Sequence, residues 1–572
     1  MSRRRFDYSV PPRWQGDIRV GSRVRVPFHG RRVGAWVAEI GVTPPAGVEV
    51  RDVTGVSGWG PPPGVLPLAE WGAWRWAMPV ATLLRTASPE RNVWALPVPA
   101  GGALPVPAGG ALPAGRPPAA APLRPGASLR RLPPAQDLLP AVLEVIAAAG
   151  AAGRPGRGSV LVLAPGSGWV ERLGQRLRAR GVDVASSWAE AAAGWPVVVG
   201  SRAAAWAPVP SLAAAVVLDV HDYHDRYDAV EVVAERAARD GAPCVLVSPC
   251  PTAVQRACYG PVETPERSSE RSGWPAVTVV DRRGADPRTG LFSEELVGMA
   301  REVVAGGGRV VCVLNRTGRA RLLACAACGG LARCAVCRRA VESTGDLLGC
   351  RACGAQRPVV CAECGSVRLR VLRIGVGRAR EELEALLSVP VGEVSGRRAG
   401  PRGAEASVPD TPVLVGTEAV LHRVRRAAAV VFLDFDQQLL APRFSAGEES
   451  LALLARAGRL VGGRGDRDGG GRGGAGMVMV QTRLPTHDVL RAAVGGDPGL
   501  FTELDLRKAL RLPPFSALAT LESDAVPALG ADGVEVSPLA AGRWLLRAPD
   551  HSTLCDAVAP LQGGVRVDPI DV

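Results

Sequence analysis

Four Cys-x-x-Cys pairs fall within forty residues: Cys325/Cys328, Cys334/Cys337, Cys350/Cys353 and Cys361/Cys364. Thiolates at this spacing reach one metal ion together, and four of them close a tetrahedral zinc site. Eight cysteines therefore predict two complete sites, two Zn²⁺ per chain. Glycine follows Cys328, Cys353 and Cys364, where a turn with φ > 0 is cheap only for glycine. Arg338 stands at the equivalent place in the second pair, which predicts a less regular knuckle. Disulfides are the rival use of such pairs, but they belong to secreted domains, and no secretory signal opens this chain. Twelve residues separate Cys337 from Cys350, enough for a hairpin. That favours an inner site (Cys334, Cys337, Cys350, Cys353) nested inside an outer one (Cys325, Cys328, Cys361, Cys364), with sequential pairing as the alternative.

A chain of 572 residues holds several domains. Its net charge of +13 suits an anionic partner such as nucleic acid. Lys508 is the only lysine, so the basic side is almost all arginine, as in a GC-rich genome. No apolar run reaches the roughly 18 residues of a spanning helix, so no membrane is expected. Met1 to Tyr8 lacks the apolar stretch of a signal peptide. The expectation is a cytoplasmic protein with reduced thiols. Cys244, Cys250, Cys258, Cys312 and Cys555 are scattered and read as packing residues.

Residues 1–94 alternate apolar and polar in short runs, as in Arg23-Val24-Arg25-Val26-Pro27-Phe28 and Val33-Gly34-Ala35-Trp36-Val37. That is strand patterning. A helix is expected from about Leu66 to Met78. Its Trp71, Trp74 and Trp76 either fill a core or stack on single-stranded nucleic acid. Residues 95–127 repeat Ala-Leu-Pro-Val-Pro-Ala-Gly-Gly and read as a semi-extended spacer. From 128, strand runs (159–163, 196–199, 215–219, 243–248) alternate with helical stretches (135–149, 169–180), which argues a parallel sheet. A second such lobe opens near 275 with a strand at 310–314. Gly462 to Gly476 is glycine and charge and reads as a loop.

The first of these stretches, Phe6-Asp7-Tyr8 with Gly21 to Phe28 and Gly34 to Val37, resembles the N-terminal domain of the PriA family of replication restart proteins, also called primosomal protein N′. The resemblance continues through Leu314-Asn315-Arg316 and Gly318 into the eight cysteines. It then runs through Gly375-Val376-Gly377, Glu381-Glu382-Leu383, Val413 to Glu418, Val430 to Asp436, Arg511 to Phe515, Arg543-Trp544 and Val567 to Ile570. Gly200-Ser201-Arg202 is similar to the Gly-Thr-Arg motif of superfamily 2 helicases. The resemblance implies a multidomain α/β protein: a 3′-end DNA-binding domain (1–94), the linker (95–127), helicase lobe 1 (128–270), lobe 2 (271–324 and 366–512), a double-zinc insertion (325–365) and a small α+β C-terminal domain (513–572). It implies nested zinc pairing. It also implies that Asp7 reads a terminal nucleotide, with Arg23 and Arg25 beside it on DNA. The winged-helix domain that family members often carry has no room here.

The helicase motifs break this pattern. A phosphate loop, G-x-x-x-x-G-K-[ST], cradles phosphates with its amides and balances them with its lysine. Leu129 to Pro134 has neither glycines nor lysine, and Gly166-Ser167-Gly168-Trp169 has tryptophan and Val170 where lysine and hydroxyl belong. The acidic motif is reduced to Asp219-Val220-His221-Asp222, and the late arginine motif to Ala457-Gly458-Arg459 with Gly462-Gly463-Arg464 behind it. ATP and Mg²⁺ are therefore not expected, nor is enzymatic activity. The expected function is binding of stalled or branched forks and D-loops, with primosome assembly and helicase loading. The partners implied are forked and single-stranded DNA, primosome proteins, loading factors and single-stranded DNA-binding protein, at the nucleoid. Two rivals are an active 3′-to-5′ ATP-dependent helicase and a zinc-ribbon scaffold that binds only proteins; a redox role for the cysteine pairs is a more remote one.

Overall fold

The structure is a computed structural model. It describes residues 5–44, 47, 49–98, 126–151, 158–222, 226–285, 290–314, 323–336, 338–350, 354–371, 376–394, 408–465, 476–525, 532–540, 542–561 and 564–569. The linker repeat from 99, most of the 462–476 loop, Asn315 to Gly318, Gly375, Cys337, Cys353 and Ile570 lie outside the described residues.

After a two-residue pairing of Tyr8–Ser9 with Arg51–Asp52, the N-terminal sheet is made of β1 (Arg23–Phe28), β2 (Arg31–Trp36) and β3 (Gly55–Val56). They pair antiparallel in the order β2-β1-β3. Period-two alternation sends Val24 and Val26 into a small core with Ile18 and Val53, and turns Arg23 and Arg25 to the other face. Helices α1 (Val65–Arg75) and α2 (Val80–Ala87) follow. They do not join that small core. Val65, Leu68, Trp76 and Leu83 pack instead with Trp206 and Leu246 of the next unit and with Leu546 and Leu554 near the end of the chain. The tryptophan run is thus largely core: Trp76 is fully buried and meets Trp71 edge-on at 5.3 Å.

Lobe 1 contains β4 (Gly126–Arg131), α3 (Leu139–Ala151), β5 (Ser159–Leu163), α4 (Ser167–Arg178), β6 (Val197–Gly200), β7 (Leu212–Leu218), α5 (Ala229–Arg239), β8 (Pro243–Ser248), α6 (Ala253–Tyr259) and β9 (Val262–Glu263). The sheet order is β9-β4-β8-β7-β5-β6, all parallel. Strands such as β5 are buried at every residue, because helices cover both faces of a parallel sheet. Helix α3 starts four residues later than its apolar pattern suggests. Asp137 caps it by accepting the Leu139 amide at 3.1 Å.

In lobe 2, β10 (Ala276–Asp281) and β11 (Val310–Val313) precede the cysteine insertion. The insertion holds β12 (Leu323–Cys325), the meander β13 (Glu342–Thr344), β14 (Leu347–Gly349) and β15 (Gln356–Pro358), and the closing strand β16 (Leu369–Val371). The lobe resumes with β17 (Val391–Val394), β18 (Val413–Gly416), β19 (Ala429–Phe432), α7 (Ala446–Val461) and β20 (Met477–Thr482). Its parallel order is β10-β20-β19-β11-β18-β17. A last antiparallel sheet comprises β21 (Ala517–Glu522), β22 (Glu535–Ala540), β23 (Arg543–Ala548) and β24 (Val565–Val567), with α8 (His551–Val558) on it. No helix among the described residues is long and apolar enough to cross a membrane. Cys244, Cys250, Cys312 and Cys555 are buried, as packing residues are; Cys258 departs from that expectation and is exposed on α6.

Candidate nucleic-acid interface, metal centre and interlobe cleft

The N-terminal sheet presents one polar face. Opposed residues of an antiparallel pair share a face, so the register Arg25↔Gly34 and Pro27↔Arg32 places Arg25 and Arg32 together. Both are exposed, and Gly34 leaves open space beside them. Arg23 shares the face but is engaged: its guanidinium donates to the Pro89 carbonyl at 2.6 Å and to Asn92 at 3.1 Å. Burial, and then Arg25, lower its pKa. Asp7 is exposed. It is flanked by Phe6, which meets Phe28 edge-on at 5.1 Å, and by Tyr8, whose hydroxyl donates to the Pro27 carbonyl at 3.0 Å. Sequence alternation singled out Arg23 and Arg25; Arg32 joins them only through the hairpin register.

The insertion brings Cys325, Cys328, Cys361 and Cys364 together, with all four sulfurs within 4.8 Å of one another. Two of the separations are 3.5 Å (Cys325–Cys364) and 3.6 Å (Cys328–Cys361). A zinc–sulfur bond of about 2.3 Å gives a tetrahedron with an edge of about 3.8 Å, so the donor set fits zinc. These spacings are well beyond a disulfide's S–S bond of about 2.05 Å. The Ala327 amide lies 3.4 Å from the Cys325 sulfur. The amides of Cys328 and Ala327 bring the Cys325 thiol down to about 6, while the sulfurs crowded around Cys328 push that thiol up to about 12. Cys334 and Cys350 share a small core with Leu323, Val341 and Leu348, while their partners Cys337 and Cys353 lie outside the described residues.

The four knuckles repeat one backbone pattern. In each, the first cysteine's amide donates to the carbonyl five residues on, at 2.8–2.9 Å (Gly330, Arg339, Ala355 and Ser366). Its carbonyl accepts the amide four residues on, from Gly329, Arg338, Gly354 or Gly365. Those four residues all have positive φ, between 61° and 74°. The second knuckle is therefore as regular as the others, with arginine bearing a left-handed conformation. That costs an L-residue about 1–2 kcal/mol, partly offset by glycine's greater freedom when unfolded. Arg338→Gly is accordingly expected to stabilise the insertion by about 0.5–1 kcal/mol, measured as slower zinc loss to a chelator.

Between the lobes lies the 132–138 turn joining β4 to α3, which continues the Leu129 to Pro134 stretch where a phosphate loop would be expected. Asp137 occupies the N-terminus of α3 and is held below the usual carboxylate range, because Arg176 (2.8 Å) and the Leu139 amide outweigh its burial. The other candidate, Gly166, is the turn into α4, with φ 84°. At the end of β7, Asp219 takes φ 54° and is buried. Burial works against its carboxylate, but Arg459, His221 and Arg456 hold its pKa down. His221 is lowered to about 3 by burial, and its Nδ1 lies 3.2 Å from the Ser248 hydroxyl. Arg459 of α7 pairs with Asp219 and donates to the Pro134 carbonyl at 2.9 Å. Trp169 lies beneath, its ring 5.8 Å from the Arg459 guanidinium.

Residues 2–89 match the family model of the PriA 3′DNA-binding domain (3′BD). The chain is 28% identical over 352 residues to the replication restart protein PriA of Bacillus subtilis, covering 56% of this chain and 42% of that one. It is 26% identical over 407 residues to that of Haemophilus influenzae, covering 64% and 54%. The chain thus spans about half the length of these relatives. A probable replication restart protein PriA of Mycobacterium leprae is 27% identical over 601 residues, covering 91% of this chain and 85% of that one. With the domain match at one end and the mycobacterial likeness over 91% of its length, the chain is similar to the PriA replication restart proteins.

Proposed function

We propose that this protein binds branched or stalled replication forks through a free 3′ end. In this reading it serves as a platform for primosome assembly and helicase loading, without unwinding DNA by ATP hydrolysis. It works in the cytoplasm on the chromosome, with forked and single-stranded DNA as ligand and primosome proteins, loading factors and single-stranded DNA-binding protein as partners. Two zinc ions hold the insertion in shape.

The observation that carries the reading is the pairing of an exposed basic face, Arg25 with Arg32, with a cleft that lacks the groups a phosphate loop supplies. Phosphoryl transfer is positioning and charge stabilisation. Here the loop offers Pro133 and Pro134, which lack amide donors, and no lysine. No carboxylate directly follows Asp219.

Asp7→Ala is expected to lower the preference for a 3′-hydroxyl fork over a 3′-phosphate fork about tenfold, the worth of one charge-assisted hydrogen bond. Affinity for blocked forks should stay nearly unchanged. Arg32→Ala should weaken all DNA alike and flatten the salt dependence by about one unit of slope. Fluorescence anisotropy across a salt series reads both. Equal loss on both forks in Asp7→Ala would place the 3′-end pocket elsewhere. DNA-stimulated ATP turnover that Asp219→Asn abolishes would instead identify an active helicase.

A further inference from the structure

We infer that Arg459 locks the two lobes together, and that this internal ion pair replaces the nucleotide as the element that fixes how the lobes face one another. The inference deepens the proposed function and rests on it, since it concerns a body that does not cycle with ATP.

Arg459 comes from α7 in lobe 2, and both groups it reaches are in lobe 1. One arm pairs with Asp219 at the end of β7; the other donates to the Pro134 carbonyl at 2.9 Å, in the loop before α3. The Arg459 and Asp219 side chains are only 7% and 5% exposed. In a phosphoryl-transfer enzyme an arginine at such a junction stabilises the charge on a terminal phosphate. Here the anion it meets belongs to the protein, so nothing external is needed to neutralise it. With the interface closed, removing either partner would leave the other charge buried and uncompensated, which is the costly way to break such a pair.

The surrounding packing leaves no gap to reopen. A Cβ on Gly458 would stand 2.8 Å from Pro275 and 3.1 Å from Pro134. One on Gly463 would lie 3.2 Å from the Ala135 Cβ. The backbone of α7 and its C-terminal exit therefore rests directly on the segment that would wrap phosphates. A second crossing lies at the N-terminus of α6, where Glu448 of α7 accepts the Ala253 amide at 2.6 Å. Around the pair, the Ala135 amide donates to Gly273, and the amides of Arg464 and Gly465 donate to Trp274 and Ser272. Both lobes thus bind the short segment that joins them.

Hydrogen exchange on the full-length, zinc-loaded protein tests this. Asp219→Asn and Arg459→Ala should each speed exchange at Ala135, Ala253, Arg464 and Gly465 about a hundredfold, while strands of both sheets keep their protection. The double variant should be no faster than the worse single one, because both changes remove the same bond. Arg459→Lys should fall between, since a point charge can reach Asp219 without also reaching Pro134. Unchanged exchange in both single variants would overturn the lock, as would a rise spread evenly through the sheets. A magnesium–ATP analogue that slows exchange at these amides in the unaltered protein would also overturn it, by showing a nucleotide in the cleft. Fork binding and ATP turnover of the unaltered protein are read separately, and they test the proposed function whether or not the lock holds.

Discussion

Cys361→Ser is expected to lower zinc content by about one ion per chain and to unravel the base of the insertion. Serine's hydroxyl keeps its proton at neutral pH, so the outer tetrad loses one of its four anionic ligands. That tetrad lies where the insertion leaves and rejoins lobe 2. There β12 and β16 pair antiparallel, with Leu323 opposite Val371 and Cys325 opposite Leu369. Metal binding in such small modules is largely their folding energy, on the order of 10 kcal/mol. Far less apolar burial is available to replace it. The lobe 2 strands should survive, since Val310 to Val313 and Val413 to Gly416 are buried in their own sheet. Elemental analysis with limited trypsin digestion gives the outcome: early cleavage among the arginines of 333–370, and a protected body elsewhere. Unchanged zinc content would remove the outer tetrad from the metal assignment.

Arg75→Ala is expected to cost about 3–5 kcal/mol, the range for breaking a buried ion pair by removing one partner. Arg75 sits on α1 with its side chain 5% exposed. It reaches Glu231 of lobe 1 at 2.9 Å and Asp568, just after β24, at 2.7 Å. His551 of α8 closes on the same Asp568 at 2.8 Å. Burial would raise the Asp568 pKa, but Arg75 and His551 together hold it well below the ordinary carboxylate value. A carboxyl depressed in the folded state stabilises it fully above the unfolded pKa of about 4 and loses that contribution as pH falls further. Glu231 runs the other way: burial pushes it up despite Arg75. Asp568→Asn should therefore flatten the loss of stability below about pH 4. Denaturant melts of both variants across pH 3–7 check the prediction, and a loss under about 1 kcal/mol for Arg75→Ala would show the cluster to be a surface-type pair.

What was legible in the sequence was what neighbours in the chain decide. The knuckles repeat because each turn is set within six residues, and the lobe strands stand out as unbroken Val, Ala and Leu runs. The outer tetrad could be expected from a hairpin-length gap. The Arg338 turn could not, because its arginine hides a conformation that glycine advertises in the other three. The contacts that decide the cleft were out of reach for a different reason. Asp219 and Arg459 are 240 positions apart, and Arg75 and Asp568 are 493 apart. Nothing local in Ala-Gly-Arg tells whether the guanidinium meets a phosphate or a carboxylate. Arg23 shows the same limit from the other side: its alternation puts it on the same face as Arg25, yet its guanidinium is spent on Pro89 and Asn92.

The core that α1 and α2 share with lobe 1 and the last sheet has a consequence for synthesis. Val65, Leu68 and Leu83 emerge from the ribosome early, but Leu546 and Leu554, which cover them, emerge more than 450 residues later. At roughly 5–20 residues per second the helices wait on the order of half a minute or more with the part of their apolar side that the last sheet covers still open. During that interval the nascent chain is a natural client for a holding chaperone. A premature stop beyond lobe 2 would leave this greasy flank permanently open. Such a truncated product would aggregate or be degraded, even though every residue of its DNA-type face, its knuckles and its cleft had already been made.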